Sequence, residues 1–204
     1  MIVSHRYRFI FVKTMKTAGT SIELFLSQRC GELDIVTPIL PHVDPHRPRN
    51  DNGFFNHMPA SEIRRRLPEV WSGYLKFCVE RNPWDKTLSH YFMLKNSPSH
   101  GHRTDLTLDE YLEEGKYCLN YPIYMDETAS AVIVDRVLRF ESLAEELVTL
   151  FKGLGVPFSG DLGARAKSEW RSDRRPYREV FTPGQAARVA QIYEKEIAVH
   201  GYQF

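Results

Sequence analysis

Phe9 to Glu23 reads FIFVKTMKTAGTSIE. The residues from Arg8 to Lys13 (RFIFVK) are aromatic and β-branched, as a strand requires, and Ser21 to Gln28 (SIELFLSQ) carry apolar residues at helical spacing. The reading is strand, loop, helix. In a loop that feeds a helix N-terminus, backbone N–H groups without intrahelical partners converge, and the helix dipole adds partial positive charge there. Gly19 lets the backbone approach a ligand, Thr20 and Ser21 offer hydroxyls, and Lys16 or Lys13 offers a full charge. A phosphate or sulfate suits such a cradle; the alternative is a solvated loop with a hydroxyl cap on an ordinary helix.

Outward from this stretch the same unit recurs. Gly73 to Glu80 (GYLKFCVE) is a mostly apolar strand. Asn82 follows as N-cap and Pro83 as first helical residue, with Trp84, Leu88, Tyr91, Phe92 and Lys95 along one side of the helix. A further strand is expected at Leu33 to Thr37, short helices at Ala60 to Leu67 and Thr107 to Glu114, and a last strand at Asp135 to Phe140. Ser142 with Glu145 is read as the cap of a helix running to Leu154, and Thr182, Pro183 and Gln185 as the start of a final helix to about His200. Residues 38–56 and Pro157 to Arg178 read as loops. Strands alternating with helices predict one α/β domain with a mainly parallel sheet and a ligand at the carboxyl ends of its strands.

Composition narrows the functional classes. The 204 residues include 27 basic and 26 acidic side chains, a formal charge of +1, which removes any bulk electrostatic case for nucleic-acid binding. Three cysteines in no CxxC spacing suggest neither a disulfide framework nor a zinc site. With charges inside the first residues and no long apolar run, the expected setting is the cytoplasm, without membrane insertion. The nucleoside-triphosphate loop GxxxxGK[ST] needs an early glycine and a lysine after the second one, and KTMKTAGTS has neither.

The second stretch, LKFCVERNPWDKTLSHY from Leu75 to Tyr91, closes a strand with Arg81 and places Ser89 eight positions later. Together with KTAGTS it resembles the sulfotransferases that use 3′-phosphoadenosine 5′-phosphosulfate (PAPS), in particular the carbohydrate-type group with "PKTAGTS" and "RNPxxRxxSxY" patterns. Met15 stands where that group has proline, and Lys86 where it has arginine. RVLRFESL, Arg136 to Leu143, and the final Tyr177 to Phe204 are also similar to that family, so the resemblance runs nearly the full length, weakest at residues 38–56 and 97–130.

The resemblance implies a P-loop-like three-layer α/β fold, with helices flanking a central mainly parallel sheet in a single domain of residues 1–204. It implies sulfuryl transfer from PAPS to a hydroxyl, of a carbohydrate or glycosylated small molecule, with adenosine 3′,5′-bisphosphate (PAP) as product. By it Lys16, Thr17, Ala18, Gly19, Thr20 and Ser21 hold the 5′-phosphosulfate, and Arg81 and Ser89 the 3′-phosphate. Arg174, Arg175 and Tyr177, in the basic segment WRSDRRPYRE, are candidates to cover the nucleotide, and Trp170 with Tyr177 to stack on adenine or to pack in the core. An arginine offers phosphate a permanently charged fork.

Transfer to a hydroxyl needs a base, and His57 in FFNHMPASEIRRRL is the candidate, since an ordinary imidazole titrates near neutrality and the segment is similar to a family "GHxPAxEIR". Lys16 is the candidate to meet the charge on the leaving oxygen, and no metal is required. His42, Asp44 and His46 (HVDPH) alternate in a way that suits a metal or a plain polar loop. Arg64, Arg65 and Arg66 suit a solvated face or an anionic acceptor. Two rival functions remain: a noncatalytic nucleotide or sulfated-glycan binder, and an ATP-dependent P-loop phosphotransferase.

Overall fold

In the structure, a computed structural model that describes residues 1–163 and 170–204, the order of elements is β1 Ile2–Ser4, β2 Phe9–Phe11, α1 Gly19–Ser27, β3 Ile35–Val36, α2 Ala60–Arg66, α3 Pro68–Gly73, β4 Leu75–Glu80, α4 Pro83–Asn96, α5 Leu108–Glu113, α6 Tyr121–Tyr124, β5 Arg136–Arg139, α7 Leu143–Leu154, α8 Tyr177–Val180, α9 Pro183–Ile192 and α10 Glu194–His200. Contacts gather these into two compact units. One holds Met1–Glu80 and the described chain from Asn120 to Gly163; the other holds Arg81–Leu119 and the chain from Trp170 to Phe204.

The first unit is built on a five-stranded sheet of order β3-β1-β2-β4-β5. Successive strand residues face opposite sides, and here both sides are apolar. Ile2, Phe9, Phe11, Phe77, Val79 and Leu138 lie under Ile22, Phe25 and Leu26 of α1 and Leu147, Leu150 and Phe151 of α7. Val3, Ile10, Val12 and Cys78 lie under Ala60 and Ile63 of α2, Trp71 of α3 and Ile123 and Tyr124 of α6. The α/β class is therefore as expected, with helices covering both faces of the sheet.

The expected mainly parallel sheet is corrected to a mixed one. β4 pairs parallel with β2 and with β5, whereas β1 pairs antiparallel with both β2 and β3. The reason is a hairpin hidden in the charged N-terminal stretch. Ile2, Val3 and Ser4 face Phe11, Ile10 and Phe9 across a turn containing Arg8 at φ 55°, and Asp34 fastens the turn by accepting from Ser4 Oγ at 2.8 Å and His5 N at 2.7 Å. A hairpin connection can only give antiparallel strands.

The second unit is helical. Trp84, Leu88, Tyr91 and Phe92 of α4 pack with Tyr111 and Leu112 of α5 and with Ala186 and Val189 of α9. Asn82 caps α4 as read from sequence, its side chain accepting from Trp84 N and Asp85 N. Capping boxes form at Thr107 with Glu110 and at Thr182 with Gln185, where helix starts were read from sequence.

Two expected details differ. The C-terminal helix is interrupted at the buried Tyr193, at φ −105° and ψ 21°, so that α9 and α10 are separate. A 3₁₀ turn, Phe140–Ser142, precedes α7, and the expected cap of Ser142 with Glu145 does not form: Ser142 makes no cap hydrogen bond, and its Oγ donates to Glu146 at 3.1 Å, which also accepts from Arg139 N at 2.9 Å. Residues 164–169 of the loop expected at Pro157 to Arg178 lie outside the described residues. No helix among the described residues is long and apolar enough to cross a membrane.

Candidate anion loop and base

The loop after β2 sits beside the end of β4. Val12 N donates to Phe77 O at 2.9 Å, and Thr14 Oγ1 donates to Val79 O at 2.5 Å. From there the backbone enters left-handed conformations at two residues that have side chains, Lys16 and Ala18, both at φ 61°, and α1 begins at Gly19. A left-handed non-glycine residue costs about 1–2 kcal/mol and persists only where its surroundings enforce it, which is why such residues gather at functional sites. The first intrahelical bond of α1 is donated by Ile22 N to Ala18 O at 3.1 Å, and no acidic residue stands in the first turn. The amides at the start of α1 therefore meet no local carboxylate that would compete with an anion.

The two lysines divide the work. Lys13 is buried and its Nζ lies 2.5 Å from Glu23 Oε2, while the Met1 amino group lies 2.5 Å from Glu23 Oε1. Burial lowers the Lys13 pKa from its ordinary value, against the pull of Glu23, and burial raises that of Glu23, but its two cations outweigh this and leave it lowered. Lys13 thus spends its charge inside, and Lys16 is the loop lysine that keeps solvent exposure. The Lys13 stem also explains Gly19, where a Cβ would stand 2.7 Å from Lys13 Cγ. Of the loop hydroxyls, Thr17 is buried and bonded to Thr14 Oγ1 at 2.8 Å and Ser21 is buried in α1, whereas Thr20 keeps solvent exposure. Any contact of Thr17 with an anion falls to its backbone amide.

His57 reaches the same loop. It is partly buried at φ 60°, and its Nδ1–H donates to the Lys13 carbonyl at 3.0 Å. That bond fixes the tautomer, so Nε2 carries the lone pair. The expected near-neutral titration is corrected: burial first, and the Lys13 ammonium second, push the pKa down to about 4. His57 is consequently neutral at pH 7, with a proton acceptor at Nε2.

Sequence reading missed Asn120. Its side chain is fully buried, accepts from Met15 N at 2.8 Å, donates to Met15 O at 3.1 Å and donates to Glu80 Oε1 at 3.1 Å. Asn120 thereby holds both the N–H and the carbonyl of Met15, the residue just before Lys16.

In the second unit Arg81 precedes α4, and Asp85 and Ser89 follow at four-residue spacing, which puts both on one face of the helix. Asp85 accepts from Arg81 Nε at 2.8 Å and from Arg171 Nη1 at 2.5 Å. Burial pushes the Asp85 pKa up, but the two guanidinium groups more than offset this and hold it below the usual range. Arg171 was not anticipated. It lies three residues before Arg174 in the same basic segment and binds that segment's own backbone, donating to Asp173 O and Arg175 O, each at 2.8 Å. Arg174 and Arg175 are exposed, and Arg175 pairs with Asp173 at 2.7 Å. Tyr177 receives a hydrogen bond from Asn82 Nδ2 at 3.2 Å, and its ring stacks on Trp84, 6.4 Å between centroids.

Lys86 is fully buried 2.6 Å from Glu196 and serves the interior of this unit. The HVDPH residues do not converge. His42 and Asp44 pair at the surface, 3.2 Å apart, while His46 is buried and donates from Nε2 to Thr37 O at 2.8 Å. Of the three arginines on α2, Arg65 and Arg66 are paired with Glu62 at 2.7 and 2.6 Å.

No family model matches the chain. An uncharacterized protein of Archaeoglobus fulgidus is 36% identical over 104 residues, 49% of this chain and 84% of that protein. The chain belongs to the same family as that archaeal protein.

Proposed function

We propose that the protein is a PAPS-dependent sulfotransferase that moves a sulfuryl group to a hydroxyl of a carbohydrate or glycosylated small molecule, on a P-loop-like fold and in the cytoplasm. The observation that carries this reading is the pairing of an anion loop with a base. Lys16, Ala18 and His57 all take left-handed conformations, and His57 is hydrogen-bonded to the carbonyl of Lys13, at the start of the loop. A cradle with one partly exposed lysine suits a singly charged sulfuryl group, and a neutral imidazole suits proton removal from an alcohol.

In this reading His57 Nε2 takes the proton of the acceptor hydroxyl as its oxygen bonds to sulfur. The bond from sulfur to the 5′-phosphate oxygen breaks, and Lys16 with the amides of Thr17 to Ser21 meets the charge left on that oxygen. Bringing the negatively charged donor into the loop offsets the positive field of Lys13 and raises the His57 pKa from about 4 towards the working pH. Arg81 and Ser89 serve the 3′-phosphate, and Arg171 joins them as the partner that shares Asp85 with Arg81. Arg174, Arg175 and Tyr177 remain candidates for the nucleotide.

Against the ATP-dependent rival, the carboxylate at the end of β4 is Glu80, which is buried and bonded to Asn120 instead of being presented for magnesium. The deciding experiment is a thermal-shift titration with PAP beside ATP and magnesium, followed by assay of sulfuryl transfer from PAPS to a panel of sugars. At a hundred times its dissociation constant PAP adds about 2.7 kcal/mol to stability. A shift with ATP and magnesium alone overturns the reading, and PAP binding without transfer or hydrolysis of PAPS makes the protein a binder.

A further inference from the structure

Asn120 occupies the N-cap position of α6, where an asparagine side chain ordinarily accepts a hydrogen bond from the helix's own first amides. It makes no such cap bond. Its amide instead closes on both polar atoms of the Met15 backbone and on Glu80, from a fully buried position. One group therefore ties the residue just before Lys16 to the end of β4. The next residues, Lys16 and Ala18, are the ones held at φ 61°, a conformation that reverts to ordinary backbone unless neighbours prevent it.

The geometry points to Asn120 as a positioning residue that locks the anion loop in its ligand-ready form. The inference concerns the loop of the proposed sulfotransferase and rests on that reading for the ligand, PAP, but not for the lock itself. Without Asn120 the Met15 amide and carbonyl lose their partners, the two left-handed residues relax, and the amides of the loop no longer converge.

Amide hydrogen exchange on the whole protein, without ligand, reads the lock directly. In Asn120→Ala the amides of Lys16 to Thr20 should exchange about tenfold faster or more, with those of β4 and α7 unchanged. Asn120→Asp keeps the size and the acceptor for Met15 N–H but removes both donors, and it should loosen the same amides while preserving the core. PAP titrations of these variants should show a dissociation constant raised about tenfold or more, and turnover assays a raised KM for PAPS with kcat at saturation largely retained. Loop exchange equal to wild type in the folded Asn120→Asp protein overturns the proposal. So does faster exchange spread evenly over β4 and α7, which is the mark of a purely structural residue. If the wild type fails to bind PAP, the sulfotransferase reading falls while the exchange experiment still decides the role of Asn120.

Discussion

A lysine buried against a carboxylate has already committed its charge, and Lys13, 2.5 Å from Glu23, is in that position, while Lys16 remains partly exposed in the loop. Removing the Lys13 charge strips Glu23 of one of its two cations, and breaking a buried pair costs about 3–5 kcal/mol. Lys13→Met should therefore lower the urea midpoint strongly with little change in PAP affinity per folded molecule. Lys16→Met should do the reverse, weakening PAP about tenfold or more with a nearly unchanged midpoint. His57 supplies a pH test. Its folded pKa of about 4 lies below the ordinary 6.5, so between those values the unfolded chain binds more protons and stability falls as pH drops through that window, by on the order of 3 kcal/mol. His57→Asn, whose side chain tolerates the left-handed backbone, should flatten that slope between pH 4 and 6.5 in urea titrations. It should also keep PAP binding and lose about 10²–10⁴ in turnover. The sequence showed two lysines flanking a loop and a histidine of fitting context. Which lysine is buried, and that the histidine is neutral, depend on Glu23 and the Lys13 carbonyl, contacts that no local pattern announces.

At the scale of elements, the strand, loop and helix of FIFVKTMKTAGTSIE were legible because each part has its own periodicity, and the α4, α5 and α9 starts were legible because caps are local chemistry. β1 was not, since three residues, Ile2–Ser4, are too few to show alternation and are followed by His5, Arg6 and Arg8. The hairpin is fixed by Asp34, thirty residues from Ser4. Gly19 marks where the loop and α1 must meet closely. Its own φ is not in the left-handed region, so the glycine is needed for space and not for conformation. Gly19→Ala should push Lys13 Cγ from its 2.7 Å position beside the added Cβ, at a cost of about 1–3 kcal/mol. Because Lys13 lends its carbonyl to His57, a shift of the His57 ring resonances in the variant's spectrum is the specific sign of that displacement; unchanged resonances with full stability would show that the stem repacks freely.

Across the whole molecule the polar interior is handled by the same device in each compact unit, a lysine from the opening part of a helix or loop buried against a glutamate: Lys13 with Glu23 in one, Lys86 with Glu196 in the other. The second pair was read from sequence only as a mild departure at Lys86, because Glu196 is 110 residues away and a lone glutamate in a C-terminal helix reads as solvated. Taking two ions out of water costs several kcal/mol each, and their mutual attraction returns this only with good geometry. Here Lys86 Nζ also sits 4.9 Å from the Tyr193 ring, which adds a favourable face to the ammonium. Lys86→Met alone leaves Glu196 buried without its ammonium and should cost about 3–5 kcal/mol, as should Glu196→Leu alone, which leaves the Lys86 ammonium buried without its carboxylate. The double change Lys86→Met with Glu196→Leu removes both charges at similar volume and should recover most of the loss. Urea unfolding of the three variants forms a double-mutant cycle. A coupling energy near zero would mean that the two side chains do not depend on one another, and that α4 and α10 are held together by the aromatic core alone.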